Sequence, residues 1–211
     1  MNEKKMMQMA KFLSAVLSPF YAPLWVVLSL FIFSYLSMSP FAYKIYMLGM
    51  IYIFTVLIPR TGINIFRVFN KWTHLQLSKR EHRHLPYILT VISYATCLVL
   101  MTHIRSAMFF RSIVIAALVS QLICVVVNAW WKISTHMVGM GGLVGALVAF
   151  SYIFNFNPAI PMCVLILLSG MLGTSRIILR QHTLAQVGVG FAVGFFSVIF
   201  FLLYNWIIFF T

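Results

Sequence analysis

The run from Phe109 to Trp130, FFRSIVIAALVSQLICVVVNAW, carries a single charged residue, Arg111. It is longer than the ~20 mostly apolar residues that a helix needs to cross the hydrocarbon core of a bilayer. Working outward, further apolar runs lie near residues 14 to 37, 41 to 59, 85 to 101, 137 to 155, 159 to 178 and 187 to 209. Together they predict an all-α fold, a polytopic transmembrane helical bundle of six to seven spans forming a single membrane domain over 1–211. The first run is the least regular. Pro19 and Pro23 predict an interfacial helix followed by a shorter span, because proline removes a helical hydrogen bond and kinks the axis. Beyond Pro59, residues 62 to 72 can continue their run as an amphipathic extension.

Composition leads to the same class. Apolar residues make up 63% of the chain and charged residues 8%, and the mean hydropathy is +1.01. A soluble globule could not bury that much apolar surface, and a disordered chain needs the reverse composition. The three cysteines, Cys97, Cys124 and Cys163, each sit in an apolar run without C-x-x-C spacing and are expected to be buried small apolar side chains. Lys4, Lys5 and Lys11 before the first run imitate a signal peptide, but no small-x-small cleavage site precedes a polar domain, so a retained first span is expected. Gly141-x-x-x-Gly145 and Gly190-x-x-x-Gly194 are expected to let helix backbones approach closely. Trp72, Trp130 and Trp131 fall at span ends, as interfacial aromatics do.

The ionisable inventory restricts the chemistry further. Fifteen Lys and Arg face two acids, Glu3 and Glu81, for a net charge of +13. Paired-carboxylate hydrolysis, aspartyl-phosphate intermediates, Asp-rich magnesium clusters and acid-based proton relays all need carboxylates that this chain lacks. No metal and no cofactor is expected. Histidine, arginine, lysine and hydroxyl groups must carry whatever chemistry there is. The basic residues lie in short loops between apolar runs, where the bilayer's head groups and lipid phosphates are nearer partners than nucleic acid.

Counting crossings sorts those loops onto two sides. The side that holds the N-terminus carries twelve of the fifteen basic residues, and the other keeps Lys44, Arg105 and Arg111. Three polar stretches share the basic side. They are Lys79-Arg80-Glu81-His82-Arg83-His84-Leu85-Pro86, then Ile133-Ser134-Thr135-His136, then Ser175-Arg176 running on to His182 and Gln186. An even number of spans separates each from the next, so they can converge at one membrane surface.

Those stretches resemble the type 2 phosphatidic acid phosphatase superfamily, the integral-membrane relatives of vanadium haloperoxidases. The family pattern is K-x6-R-P, then P-S-G-H, then S-R-x5-H-x3-D. The third element is matched by Ser175-Arg176-x5-His182-x3-Gln186, with glutamine in the place of aspartate. The second keeps Ser134 and His136 and lacks the Pro and Gly. The first is degenerate, because Gln76 stands seven before Arg83 and His84 follows it, so Lys79 or Arg80 would supply the missing cation. The resemblance covers a phosphatase-like core over 79–186, about half the chain, and leaves unassigned the N-terminal spans that the apolar runs predict over 1–78; a last span follows over 187–211.

By that resemblance the protein is a lipid phosphate phosphatase acting on a phosphomonoester or diphosphate without a metal ion. Phosphatidic acid, phosphatidylglycerophosphate and polyprenyl diphosphates are the substrate classes implied. His182 would attack phosphorus to form a phosphohistidine, and His136 would protonate the leaving group. Lys79, Arg80, Arg83, Ser134, Ser175 and Arg176 would bind the phosphate. Such a transfer needs cations, a nucleophile and an acid, with a carboxylate only to orient the nucleophile. Gln186, four residues on from His182, could accept the imidazole N–H without stabilising its charge. Two alternatives remain, a headgroup phosphotransferase using the same histidine and a catalytically silent lipid-binding or scaffold protein. The basic bias of the loops predicts a cytoplasmic N-terminus, in a bacterial cytoplasmic (inner) membrane.

Overall fold

The computed structural model describes residues 3–71 and 84–210. The regular structure among them is helical: α1 Glu3–Val16, α2 Ala22–Phe33, α3 Phe41–Tyr52, α4 Ile58–Phe69, α5 His84–His103, α6 Met108–Trp130, α7 Thr135–Phe154, α8 Ala159–Ile178 and α9 Leu184–Phe210. Among the described residues, seven stretches are long and apolar enough to cross a membrane, with α1 and α2 counted as one and α3 and α4 as another. The fold is an all-α polytopic bundle, and the chain is an integral membrane protein.

The first apolar run does not form the one helix over 14 to 37 that hydropathy alone outlines. α1 reaches back to Glu3 and closes at Val16, a 3-10 turn covers Pro19–Tyr21, and α2 restarts at Ala22. Ser18 is extended, and Pro19 and Pro23 each stand at the start of a helical segment, where a missing N–H costs nothing. With 12 residues, α2 rises about 18 Å, well short of a ~30 Å hydrocarbon core. α1 exposes Lys4, Lys5 and Lys11 together with Met7, Met9 and Phe12, the composition of a helix at a membrane interface.

Pro59 leaves a different mark. α3 runs into α4 through one π-helical turn, Ile53–Leu57, placed just before the proline. In a regular helix the Pro59 ring would press on the carbonyl four residues back, and widening the turn relieves that contact. The Phe54 carbonyl accepts a hydrogen bond from Ser93 Oγ of α5 at 2.5 Å. A neighbouring helix thus serves the disturbed backbone, as a dry environment requires. α4 then continues to Phe69 as the amphipathic extension, exposing Arg60 beside Ile65 and Val68, with Arg67 half-buried.

α7 is the most enclosed span and lies along α9. A Cβ on Gly194 would sit 1.9 Å from the Val138 carbonyl oxygen, one on Gly141 2.0 Å from that of Phe191, and one on Gly145 2.6 Å from that of Phe195. The small-xxx-small pairs therefore face each other and set the spacing of the two helices. Around them Leu30, Met47, Ile51, Met101, Phe110 and Phe150 close the main core. The outer faces of α8 and α9 present Val164, Leu167, Phe196 and Phe200, suited to lipid rather than water.

One expectation about the cysteines is corrected. Cys97 and Cys124 are buried, but Cys163 is exposed on α8. In a membrane protein the outward face of a helix is as apolar as the inward one, so an apolar neighbourhood in the sequence does not imply burial in protein. Trp130 is exposed at the end of α6, as expected of an interfacial aromatic, and Trp72 lies outside the described residues.

Candidate functional site

The start of α7, the end of α8 and the start of α9 meet at one end of the bundle, because α7 and α8 cross in opposite directions. The contacts fix this. A Cβ on Gly190 of α9 would lie 2.7 Å from the Ser134 carbonyl oxygen at the head of α7. One on Gly173 of α8 would lie 3.0 Å from Val187 Cγ1 of α9. Ser134, Arg176, His182 and Gln186 therefore belong to the same end.

Arg176 occupies the last turn of α8 and is 6% exposed. The helix stops in a Schellman arrangement, in which the Gln181 N–H donates to the Arg176 carbonyl at 3.1 Å and the Arg180 N–H to that of Ile177 at 2.8 Å. Arg180 fills the left-handed position, φ 52°, which glycine usually takes. The reversal brings the Gln181 side chain back onto Arg176, whose guanidinium donates to the Gln181 Oε1. A buried guanidinium is thereby held at the site by a neutral acceptor. The chain has only two carboxylates, Glu81 outside the described residues and Glu3 at the exposed start of α1.

His182 follows at once, 7% exposed, and lies 3.1 Å through Nδ1 from the Gln186 Oε1. The same Oε1 accepts the Thr183 backbone N–H at 3.3 Å, while the Gln186 N–H approaches Thr183 Oγ1 at 3.4 Å. This is a capping box, Thr183-x-x-Gln186, opening α9. It also settles the imidazole tautomer. A backbone N–H can only donate, so the Gln186 atom it meets is oxygen, and an oxygen of that kind can only accept. His182 therefore carries its proton on Nδ1 when neutral, leaving Nε2 with a lone pair.

Ser134 is the N-cap residue of α7, 0% exposed, and makes no side-chain cap. Its carbonyl accepts the N–H groups of Met137 and Val138, each at 3.0 Å, while its hydroxyl has no hydrogen-bond partner among the described residues. Ser175 is also buried, but its hydroxyl donates to the Met171 carbonyl at 2.8 Å, a bond within its own helix. His136 turns to α1, where its Nε2 donates to the Ser14 carbonyl at 3.1 Å. That bond puts the Nε2 proton in place, so His136 can release a proton from Nδ1 only as the imidazolium. Lys79, Arg80 and Arg83 lie outside the described residues. Among the described residues no three His, Cys, Asp or Glu side chains gather as metal ligands.

Four participants at this end have no counterpart among the residues that the sequence singles out. Thr183 is announced by its capping-box spacing to Gln186, and Gln181 by its place after the end of a helix. Ser14 and Asn128 carry no such local signal. Asn128 is 0% exposed in the last turn of α6, with neither amide atom hydrogen-bonded among the described residues.

Fold and site together define the class, a polytopic all-helical membrane protein with a buried arginine and a singly oriented histidine at one end of its bundle. No family model matches the chain, no curated protein matches it, and no solved structure matches its fold.

Proposed function

We propose that this chain is an integral-membrane lipid phosphatase that hydrolyses a lipid phosphomonoester or diphosphate through a phosphohistidine on His182, without a metal ion. The observation that carries the reading is the bond from His182 Nδ1 to Gln186, because it leaves Nε2 as a fixed nucleophile. The Nε2 lone pair forms the N–P bond as the P–O bond to the lipid breaks. The departing alkoxide takes a proton from His136 in its charged form, and water then cleaves the N–P bond to release phosphate. Arg176 neutralises the phosphoryl oxygens, and Ser134 adds a hydroxyl donor. The bias of basic loops supports a cytoplasmic position for this end, in a bacterial inner membrane.

One feature favours a second reading, a silent lipid-binding protein: Gln186 closes a capping box that a helix needs with or without catalysis. An assay of the purified chain against a panel of lipid phosphates in excess chelator separates the two. Phosphate release that persists in chelator and is blocked by vanadate is expected, whereas a requirement for magnesium would refute the phosphohistidine route.

Variants at Gln186 test the orienter. Gln186→Asp keeps an acceptor and adds a charge that stabilises the imidazolium, so turnover is expected to hold or rise. Gln186→Leu removes the acceptor for both His182 and Thr183. Turnover is then expected to fall by at least tenfold, and stability by about 1 kcal/mol, the usual cost of a lost cap. Equal turnover in the parent and both variants would remove Gln186 from the mechanism.

A further inference from the structure

We infer that Asn128 is a ligand-binding residue of this end of the bundle, its side-chain amide donating to an oxygen of a tetrahedral oxyanion, the phosphate group of a lipid. The inference rests on the lipid phosphatase reading for the identity of that oxyanion, and on the following geometry for its place.

Asn128 is wholly enclosed, and both its Nδ2 and its Oδ1 lack a hydrogen-bond partner among the described residues. Buried polar atoms are nearly always paired, so an amide with neither end satisfied points to a partner that the described residues do not supply. Its level in the bundle follows from its neighbours. Cys124, one turn earlier on α6, shares a cluster with Ile133 and Val138, which bracket Ser134, and Val193 of α9 packs against that cluster. α6 and α9 are adjacent and run in opposite directions. The turn that leads from Cys124 to Asn128 therefore parallels the step from Val193 back to Gly190, and Gly190 is the residue that touches the Ser134 carbonyl. One turn further along α9 is Gln186, the partner of His182.

Asn128 thus stands level with Ser134, whose buried hydroxyl is likewise without a hydrogen-bond partner among the described residues. The two groups sit on different elements and supply three donors between them. The first turn of the 20-residue helix α7 adds backbone N–H groups and the positive end of its dipole. Arg176 adds a buried cation. This donor set suits an oxyanion, and the remaining acceptor, Asn128 Oδ1, takes the hydroxyl of a singly protonated phosphate. A neutral ligand would leave the cation and the dipole uncompensated.

The test uses the purified full chain in detergent with Asn128→Leu and Asn128→Asp. The probes are inorganic phosphate and orthovanadate as free oxyanions and dioctanoyl phosphatidic acid as a lipid phosphate, read by unfolding midpoint and by phosphate release. Without probe, Asn128→Leu is expected to keep or raise the midpoint, since an apolar side chain replaces an amide that has no partner. With probe, its half-saturating concentration is expected to rise about ten- to a hundredfold, the usual worth of a hydrogen bond to a charged group. Asn128→Asp, which puts a negative charge against the oxyanion, is expected to weaken binding further. A response to phosphatidic acid alone assigns the site to a lipid head group, and one to all three probes to the phosphate group itself. Half-saturation unchanged in either folded variant overturns the inference, as does failure of both variants to fold without probe, which would make the amide a structural partner. Oxyanion binding lost in the variants of a protein that hydrolyses no lipid phosphate would retain Asn128 and refute the phosphatase. A parent protein that neither binds nor hydrolyses any probe refutes both.

Discussion

His182→Ala is expected to fold and to lose lipid phosphate hydrolysis by about four decades or more, the scale seen when a covalent nucleophile is removed. The alanine forfeits the bond to Gln186, but the Gln186 oxygen keeps the Thr183 N–H, so the cap of α9 survives and stability should fall by about 1 kcal/mol. His182→Asn is the stricter control, because its amide can still donate toward Gln186 yet cannot attack phosphorus productively. Phosphate release and trapping of an acid-labile phosphoryl adduct from a labelled lipid phosphate are the measurements. Parent-like release from either variant would show that His182 is not the nucleophile.

The second large effect concerns the fold. Gly194→Ala is expected to prevent α7 and α9 from closing, since its Cβ would lie 1.9 Å from the Val138 carbonyl oxygen and 2.8 Å from the Gly142 backbone nitrogen. Both obstacles are backbone atoms, so no side-chain rotation relieves them and the helices must part. Separating the two helices that pack most extensively in the bundle should cost on the order of 4 kcal/mol or more, a large fraction of the 5–15 kcal/mol that keeps a typical domain folded. Gly170→Ala and Gly188→Ala are matched controls, because a Cβ there meets nothing within 4 Å. They should be neutral, or stabilising by up to ~1 kcal/mol through helix propensity. Size-exclusion profiles and thermal midpoints in detergent make the comparison, and a Gly194→Ala midpoint equal to those of the controls would refute the close-packing account.

Much of the candidate site is local in sequence and could be read there. The spacing from His182 to Gln186 is one helical turn, and the hydrogen bond across it follows from that spacing alone. Arg176 and Gln181 meet because a Schellman ending reverses the chain within five residues. The shared end of Ser134, Arg176 and His182 follows from span parity. His136 was different. Its spacing from Ser134 gave no sign that its Nε2 would be taken by Ser14, 122 residues away.

The sequence by itself determined that this chain is a bundle of apolar helices in a membrane. Runs longer than a bilayer's thickness and a near absence of carboxylates leave no other solution. It also marked where helices would break, at Pro19 and Pro23, and where they would touch, at Gly141, Gly145, Gly190 and Gly194. Only the tertiary structure decided which apolar residues face protein and which face lipid, setting Cys124 inside and Cys163 outside. It alone isolated the Asn128 amide, led Ser93 to the carbonyl freed by the π-helical turn, and carried His136 to α1. The physical reason is common to all four. In water a helix declares its buried face by alternating with a polar one, but in a membrane both faces are apolar, so the pattern that would reveal burial and partners is absent from the sequence.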